Sequence, residues 1–506
     1  MSLPYLPILT VLPLVGAAGV MLVPNTRPRQ MVKVIALGFT LVELGLAIVM
    51  CVRFAAGGAR FQFIDDYTWI PQFGVKFGFG ADGIALVLIA LVAVLMPVVV
   101  LASWHDAEPG RRSVRAFFAL LLALQACTVG VFAATDLFLF YVFFEAMLVP
   151  MYFLIGSYGG PRRQYAAMKF FLYSLAGGLI MLAAVIALYV VGKDQGVNSF
   201  AFGDLVGLKI STGTQNWLFL GFFVAFAIKA PLVPFHTWLP DAGAEAPIGP
   251  AVLLVGVLDK VGTYGFLRWC LPLFPDASQT FAPLVFVLAL VGIIYGAALA
   301  MGQKDLKRLV AYTSVAHFGF IALGIFAFTS QGGTGAVLYM VNHGLSTGAL
   351  FLVVGFLIAR RGSRLVGDYG GMSTKAPLVA GVFLLAGLSA LALPGTNTFV
   401  SEFLVLVGTF TVNRPVAVIA TLGIILAALY VLLMYQRTMH GPANPALPKM
   451  RDMSAREAWV IAPVLSLVVA MGVYPKPVID VITPAVKATM QDVGVTDPAP
   501  TAKGEK

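Results

Sequence analysis

Apolar runs of about 20 residues, each long enough to cross the hydrocarbon of a bilayer, follow one another along almost the whole chain with only short polar breaks between them. A soluble domain carries about 25% charged residues, whereas 11% are charged here and 59% are hydrophobic. The runs predict spans near 3–23, 31–53, 83–103, 114–133, 136–157, 166–191, 216–238, 248–270, 279–300, 307–328, 332–359, 376–411, 414–436 and 457–474. The expected fold class is an all-α polytopic membrane protein of about fourteen transmembrane helices.

The formal net charge of +10 could suggest nucleic-acid binding, but the placement of the basic residues argues for topology instead. Loops that follow odd-numbered spans carry Arg27, Arg29, Lys33, Arg111, Arg112, Arg115, Arg162, Arg163, Lys169, Lys304, Lys307, Arg308, Arg360, Arg361, Arg364, Lys375, Arg437, Lys449, Arg451 and Arg456, or 20 of the 33 basic residues. Even loops hold Arg53, Arg60, Lys76, Lys193, Lys209, Arg268 and Arg414, and the C-terminal tail adds Lys476, Lys487, Lys503 and Lys506. The positive-inside rule then puts the odd loops in the cytoplasm and both termini outside it, with membrane lipid rather than nucleic acid as the surrounding partner.

The cysteines Cys51, Cys127 and Cys270 are far apart and form no Cys-x-x-Cys or Cys/His cluster, so no metal, haem or iron–sulfur site is expected. No Gly-rich phosphate loop or other cofactor-binding motif is found. The first span begins near Met1 without a basic segment before it and reads as a retained helix. The Pro-rich composition after Asp492 reads as a disordered tail.

Charged side chains at bilayer depth cost at least about 2.5–3.5 kcal/mol on insertion scales, so those that persist inside apolar runs are functional candidates. Glu145 sits near the middle of the fifth span in ATDLFLFYVFFEAMLVPMYFLIG. Lys229 lies in WLFLGFFVAFAIKAPLVPFHTWLP, where Pro231 and Pro234 predict a break just beyond the lysine. Interrupted helices at bilayer depth are where transporters build ion sites. Lys260 and Asp259 are adjacent in LLVGVLDKVGTYGFLR, about 100° apart around an ideal helix, so the two are not expected to face the same way. His317 follows Thr313 by one turn, and His343 shares a face with Tyr339, Ser346 and Thr347. The twelfth run is broken by Pro394-Gly395 and Asn397 before Glu402. Glu43, in the second span, is read as facing either the ion path or a partner subunit, and Asp82 and Asp136 as helix-start carboxylates.

The interrupted seventh and twelfth segments are five spans apart, which predicts two five-helix repeats of inverted topology. The expected units are helices 1–3 over residues 1–110, one repeat over 111–275, the inverted repeat over 276–440, and the last helix and tail over 441–506.

FGADGIAL, ATDLFLFYVFFEAMLVPMYFLIG, FAIKAPLVPFHTWLPDAGAEAP, LLVGVLDKVGTYGFLR, AYTSVAHFGF and LPGTNTFVSEF occur in this order from about Phe79 to Arg437. With them the chain resembles the antiporter-like subunits shared by proton-pumping NADH-quinone oxidoreductase (respiratory complex I) and Mrp-type cation/proton antiporters. Glu402 in the broken twelfth helix makes it look most like the subunit M, or mitochondrial subunit four, type, because the L and N types are expected to carry lysine there. The resemblance implies that Glu145 and Lys229 form an input pair, Lys260 and His317 relay protons centrally, and Glu402 serves the exit half, with His343, Asp259 and His236 as secondary relay candidates. It also implies L- and N-type neighbours, with FMN, iron–sulfur clusters and quinone in partner subunits, and a bacterial plasma membrane location. Asp259 departs from the family pattern, which has an apolar residue there.

Burial works against the charge on Lys229 and an approaching Glu145 carboxylate works for it, so moving the partner would load or unload a proton. The rival readings are an Mrp-type Na⁺/H⁺ antiporter subunit using the same residues, and a membrane scaffold in which the buried charges only lock helices together.

Overall fold

The computed structural model describes residues 3–24, 26, 28–107, 113–442 and 450–497. Of the basic residues used for topology, Arg27, Arg111, Arg112, Lys449, Lys503 and Lys506 lie outside the described residues, as does the tail from 498 onward.

Among the described residues, twelve helices are long and apolar enough to cross a membrane. The seventh and twelfth segments are each divided. The seventh runs as a helix over Thr212–Lys229, ends at the lysine, and resumes over Trp238–Glu245 after a short 3₁₀ turn. Pro231 and Pro234 cannot donate to the preceding turn, and the Trp238 indole donates to the freed carbonyl of Ile228 at 2.8 Å. The twelfth runs over Pro377–Ala390 and again over Asn397–Val412. Pro394-Gly395 lies in the gap, with Gly395 at φ 93°.

Two further irregularities have no counterpart in the expected spans. The fifth segment is split at Met147 into Leu137–Ala146 and Leu148–Tyr158, because Pro150 has no N–H to give the Ala146 carbonyl one turn earlier. In the eighth, Ile248–Leu273, two π turns, Leu254–Leu258 and Phe266–Cys270, flank the α-helical Lys260–Gly265. Single π turns inside α-helices are frequent at functional sites.

A two-stranded antiparallel hairpin, Gln62–Ile70 with Val75–Ala81, fills the connection between the second and third helices. Gly74 turns it at φ 66°. An amphipathic helix, Lys476–Asp492, follows the last span, burying Ile482, Ala485, Val486, Thr489 and Met490 along one face. It is tied down by Asp492 to Arg60 at 2.7 Å and by Gln279 donating to the Val493 carbonyl. Neither element is apolar enough to register as a span.

The eighth, tenth and eleventh helices form the buried centre, and the first, second, sixth, thirteenth and fourteenth present much of their surface outward. Several membrane helices start on a side-chain cap: Asp82, Asp136 and Asp305 accept from first-turn amides, and Ser454 forms a capping box with Glu457. Glu43 is buried within this chain beside Gln125, not turned toward a partner subunit.

Candidate functional site

The ends of broken helices leave polar backbone groups at bilayer depth, and the ionisable residues gather around those breaks. Lys229, the last residue of its helix, is 1% exposed and its Nζ has no hydrogen-bond partner among the described residues. It lies over two aromatic rings, with the centroids of Phe144 and Phe170 at 5.0 and 5.7 Å. Glu145 stands two residues before the break at Met147, half-buried, with Oε1 enclosed and also without a hydrogen-bond partner. The two sense each other's charge without forming an ion pair within 4.0 Å.

Around Lys260 the arrangement is the opposite. Its ammonium is held by Asp259 Oδ1 at 2.9 Å, by His343 Nδ1 at 2.5 Å, and by the carbonyl of Val255. The expectation that Asp259 and Lys260 face apart is therefore wrong here. The π turn ending at Leu258 departs from α winding, so ideal-helix angles do not apply across Asp259, and the long lysine side chain folds back onto the turn. With Lys260 as an ammonium, His343 accepts at Nδ1 and donates from Nε2 to Ser314 Oγ at 3.0 Å.

From His343 the polar run continues. The rings of His343 and His317 touch edge to face at 5.4 Å. His317 Nδ1 is 2.7 Å from the Tyr339 hydroxyl, which donates to Glu402 Oε2 at 2.9 Å. Since Tyr339 spends its proton on the carboxylate, its oxygen accepts from His317, which must carry its proton on Nδ1. Tyr430 stands at 3.4 Å from His317 Nε2. Lys260, His343, His317, Tyr339 and Glu402 are all at most 3% exposed. Thr313 bonds back to the Val310 carbonyl and takes no part. His236 is elsewhere, on the turn between the halves of the seventh segment and against Tyr295.

A family profile described as NADH:quinone oxidoreductase/Mrp antiporter, TM, matches residues 134–427, which hold all of these side chains except Tyr430. NADH-quinone oxidoreductase subunit M of Mycobacterium tuberculosis is 46% identical, over 99% of this chain and 96% of its own length. The chain belongs to the subunit M family of NADH-quinone oxidoreductase. A chain of respiratory complex I from Thermus thermophilus superposes with a TM-score of 0.88 at 32% identity, covering 97% of this chain and 100% of its own. A chain of the Mrp complex from Dietzia matches in fold with a TM-score of 0.83 at 21% identity, over 97% and 100%. The resemblance carried by the quoted motifs is thus borne out.

In this subunit M family member, pairings that sequence reasoning did not foresee hold the breaks in place. Asn397 opens the second half of the twelfth segment and receives hydrogen bonds from Ser389 at 2.7 Å and Ser346 at 3.0 Å, while exchanging others with Asn342. The second half of the seventh segment, Trp238–Glu245, is gripped by basic residues read from sequence as topology signals alone. Asp241 takes Lys169 at 2.7 Å and Arg308 at 2.5 Å, and Glu245 takes Arg364 at 2.9 Å. Arg268, assigned from sequence to an even loop, is instead buried in the eighth helix, which extends to Leu273. It pairs with Asp82 at 2.6 Å and donates to Tyr264 at 3.0 Å. An alternation of acidic and basic residues at segment ends was the available signal, but which pairs meet depends on tertiary packing.

Proposed function

We propose that this chain is a proton-carrying module in the membrane arm of NADH-quinone oxidoreductase, a subunit of the enzyme complex rather than a redox catalyst itself. The observation that carries this reading is the buried run from Lys260 through His343, His317 and Tyr339 to Glu402, because groups in series that both donate and accept are what stepwise proton transfer through a bilayer requires. Glu145 and Lys229 act as the switch upstream: when the carboxylate reaches the ammonium the lysine keeps its proton, and when it withdraws the proton is released toward Lys260. Asp259 and His343 set the charge and tautomer of that relay, and His236 serves the seventh-segment break.

The interrupted seventh and twelfth segments make residues 111–275 and 276–440 a pair of inverted five-helix repeats, with 1–110 and 441–506 flanking them. The other complex I subunits are the partners, L- and N-type antiporter-like chains the immediate ones, and FMN, iron–sulfur clusters and quinone belong to those partners. The bacterial relatives support a bacterial plasma membrane location, and the alternation of basic loops supports both termini outside the cytoplasm.

The test is the complex purified from native membranes and reconstituted into liposomes, with NADH oxidation and proton uptake measured together. Lys260→Ala and Glu402→Gln should assemble and oxidise NADH yet move fewer protons per electron. An unchanged ratio in both would remove the proposal, and sodium-driven proton exchange without NADH oxidation by the native preparation would replace it with cation antiport.

A further inference from the structure

The Gly177-Gly178 pair in the sixth helix, Arg163–Asp194, divides its labour. A Cβ on Gly177 would meet Ile228 Cδ1 at 2.9 Å and the Ala225 backbone at 3.2 Å. Gly177 is thus a packing glycine, letting the sixth helix lie close against the helix that ends in Lys229. A Cβ on Gly178 would meet something different. It would overlap Glu145 Oε1 outright and lie 2.6 Å from the carboxyl carbon and 3.3 Å from Oε2, these being its three nearest atoms. The space left by the missing Cβ is filled by the Glu145 carboxyl group and by nothing nearer.

We propose that Gly178 is a positioning residue, a seat for the Glu145 carboxylate that holds it out of contact with Lys229. This rests on the reading of Glu145 and Lys229 as the switch. The enclosed Oε1 receives no hydrogen bond in the seat, so the seat is defined by shape and not by a polar partner. The aromatic rings of Phe144 and Phe170 lie over the lysine that the carboxylate does not reach. A shape-defined seat with no hydrogen bond to break is left without breaking one, which suits a carboxylate that must alternate between two positions. Filling the seat drives the carboxylate out, and the unpartnered ammonium of Lys229 is the opposite charge available to it. The switch is then held closed.

The experiment is a double-substitution cycle in the assembled complex, reading protons moved per electron and the yield of complex. Gly178→Ala alone should lower the proton ratio to the level of Glu145→Gln. Glu145→Asp withdraws the carboxylate by one methylene, so it should lower the ratio when Gly178 is intact but raise it when combined with Gly178→Ala. Such a reversal of sign is coupling that independent sites do not show. Gly177→Ala, whose clashes lie on another helix, should not be rescued by Glu145→Asp.

Native pumping in Gly178→Ala would overturn the inference. So would a loss, of pumping or of assembly, that Glu145→Asp does not relieve. Lys229→Ala, measured in parallel, separates the two levels: normal pumping there removes the switch itself, whereas lost pumping there beside normal pumping in Gly178→Ala removes only the seat.

Discussion

Two regions of the chain, one around Lys229 and one running from Lys260 to Glu402, bury ionisable residues but treat them in opposite ways. Lys229 and Glu145 have buried polar atoms with no hydrogen-bond partner, among phenylalanine rings and against a glycine. Lys260 has an ion pair, a histidine and a carbonyl on a single ammonium, and beyond it the ring of His343 touches that of His317, which is hydrogen-bonded to Tyr339 and through it to Glu402. Leaving a buried polar group unpaired is costly, so the first region holds its charges at the expense of stability, whereas in the second the cost of burying the Lys260 ammonium is offset by its partners. A group that must change partners is best left without strong ones, and a group that must hand protons along a fixed line is best held in that line.

The sharpest way to break this comparison is Lys229→Ala. Transport per electron should collapse, while the melting temperature of the complex stays level or rises because an unpaired buried charge has been removed. A melting temperature lowered as far as in the second region would show that the two lysines are held alike. Next in size is Asp259→Ala, which strips the carboxylate from Lys260. Breaking a buried pair from one side costs about 3–5 kcal/mol, so detergent-solubilised complex should unfold at clearly lower denaturant or temperature.

Tyr339→Phe removes the hydroxyl between His317 and Glu402 without changing the ring. It should cost about 1–3 kcal/mol, the usual penalty of stranding a buried donor or acceptor. It should also slow NADH-driven proton uptake, measured with a pH-sensitive dye. The smallest effect is expected from Ser346→Ala, which deletes one member of the redundant cluster at Asn397. About 0.6 kcal/mol is typical of an interhelical hydrogen bond in a membrane, and a thermal shift too small to change pumping is the expected result.

How legible these two regions were in the sequence differs as well. The break after Lys229 could be read from Pro231 and Pro234, and the break before Glu402 from Pro394-Gly395, because proline acts on the backbone next to it. Glu145, Lys260 and Glu402 stood out because an apolar run makes any charge conspicuous. What could not be read was partnership. Tyr339 looked like one polar residue on a stripe, and its position between His317 and Glu402 exists only once the tenth, eleventh and twelfth segments are packed. Local periodicity also misjudged Asp259, since it assumes the α winding that the neighbouring π turn abandons. The hairpin Gln62–Ile70/Val75–Ala81 and the amphipathic helix Lys476–Asp492 are too polar to stand out among the apolar runs.

The π turns that flank Lys260 tie chain length to chemistry. Each π turn spends one more residue per turn than an α turn would, so the eighth helix carries surplus residues that contribute little to its height. Deleting a single residue from Leu254–Leu258 would let that turn rewind as α with the residues on either side still in phase, and would return the loosened carbonyls of the π turn to the helical hydrogen-bond ladder. The Val255 carbonyl would leave the ammonium without any charged or titratable side chain having been changed. In this helix the spacing of the residues matters in its own right, because the surplus residue of the π turn is what leaves a backbone carbonyl for the lysine.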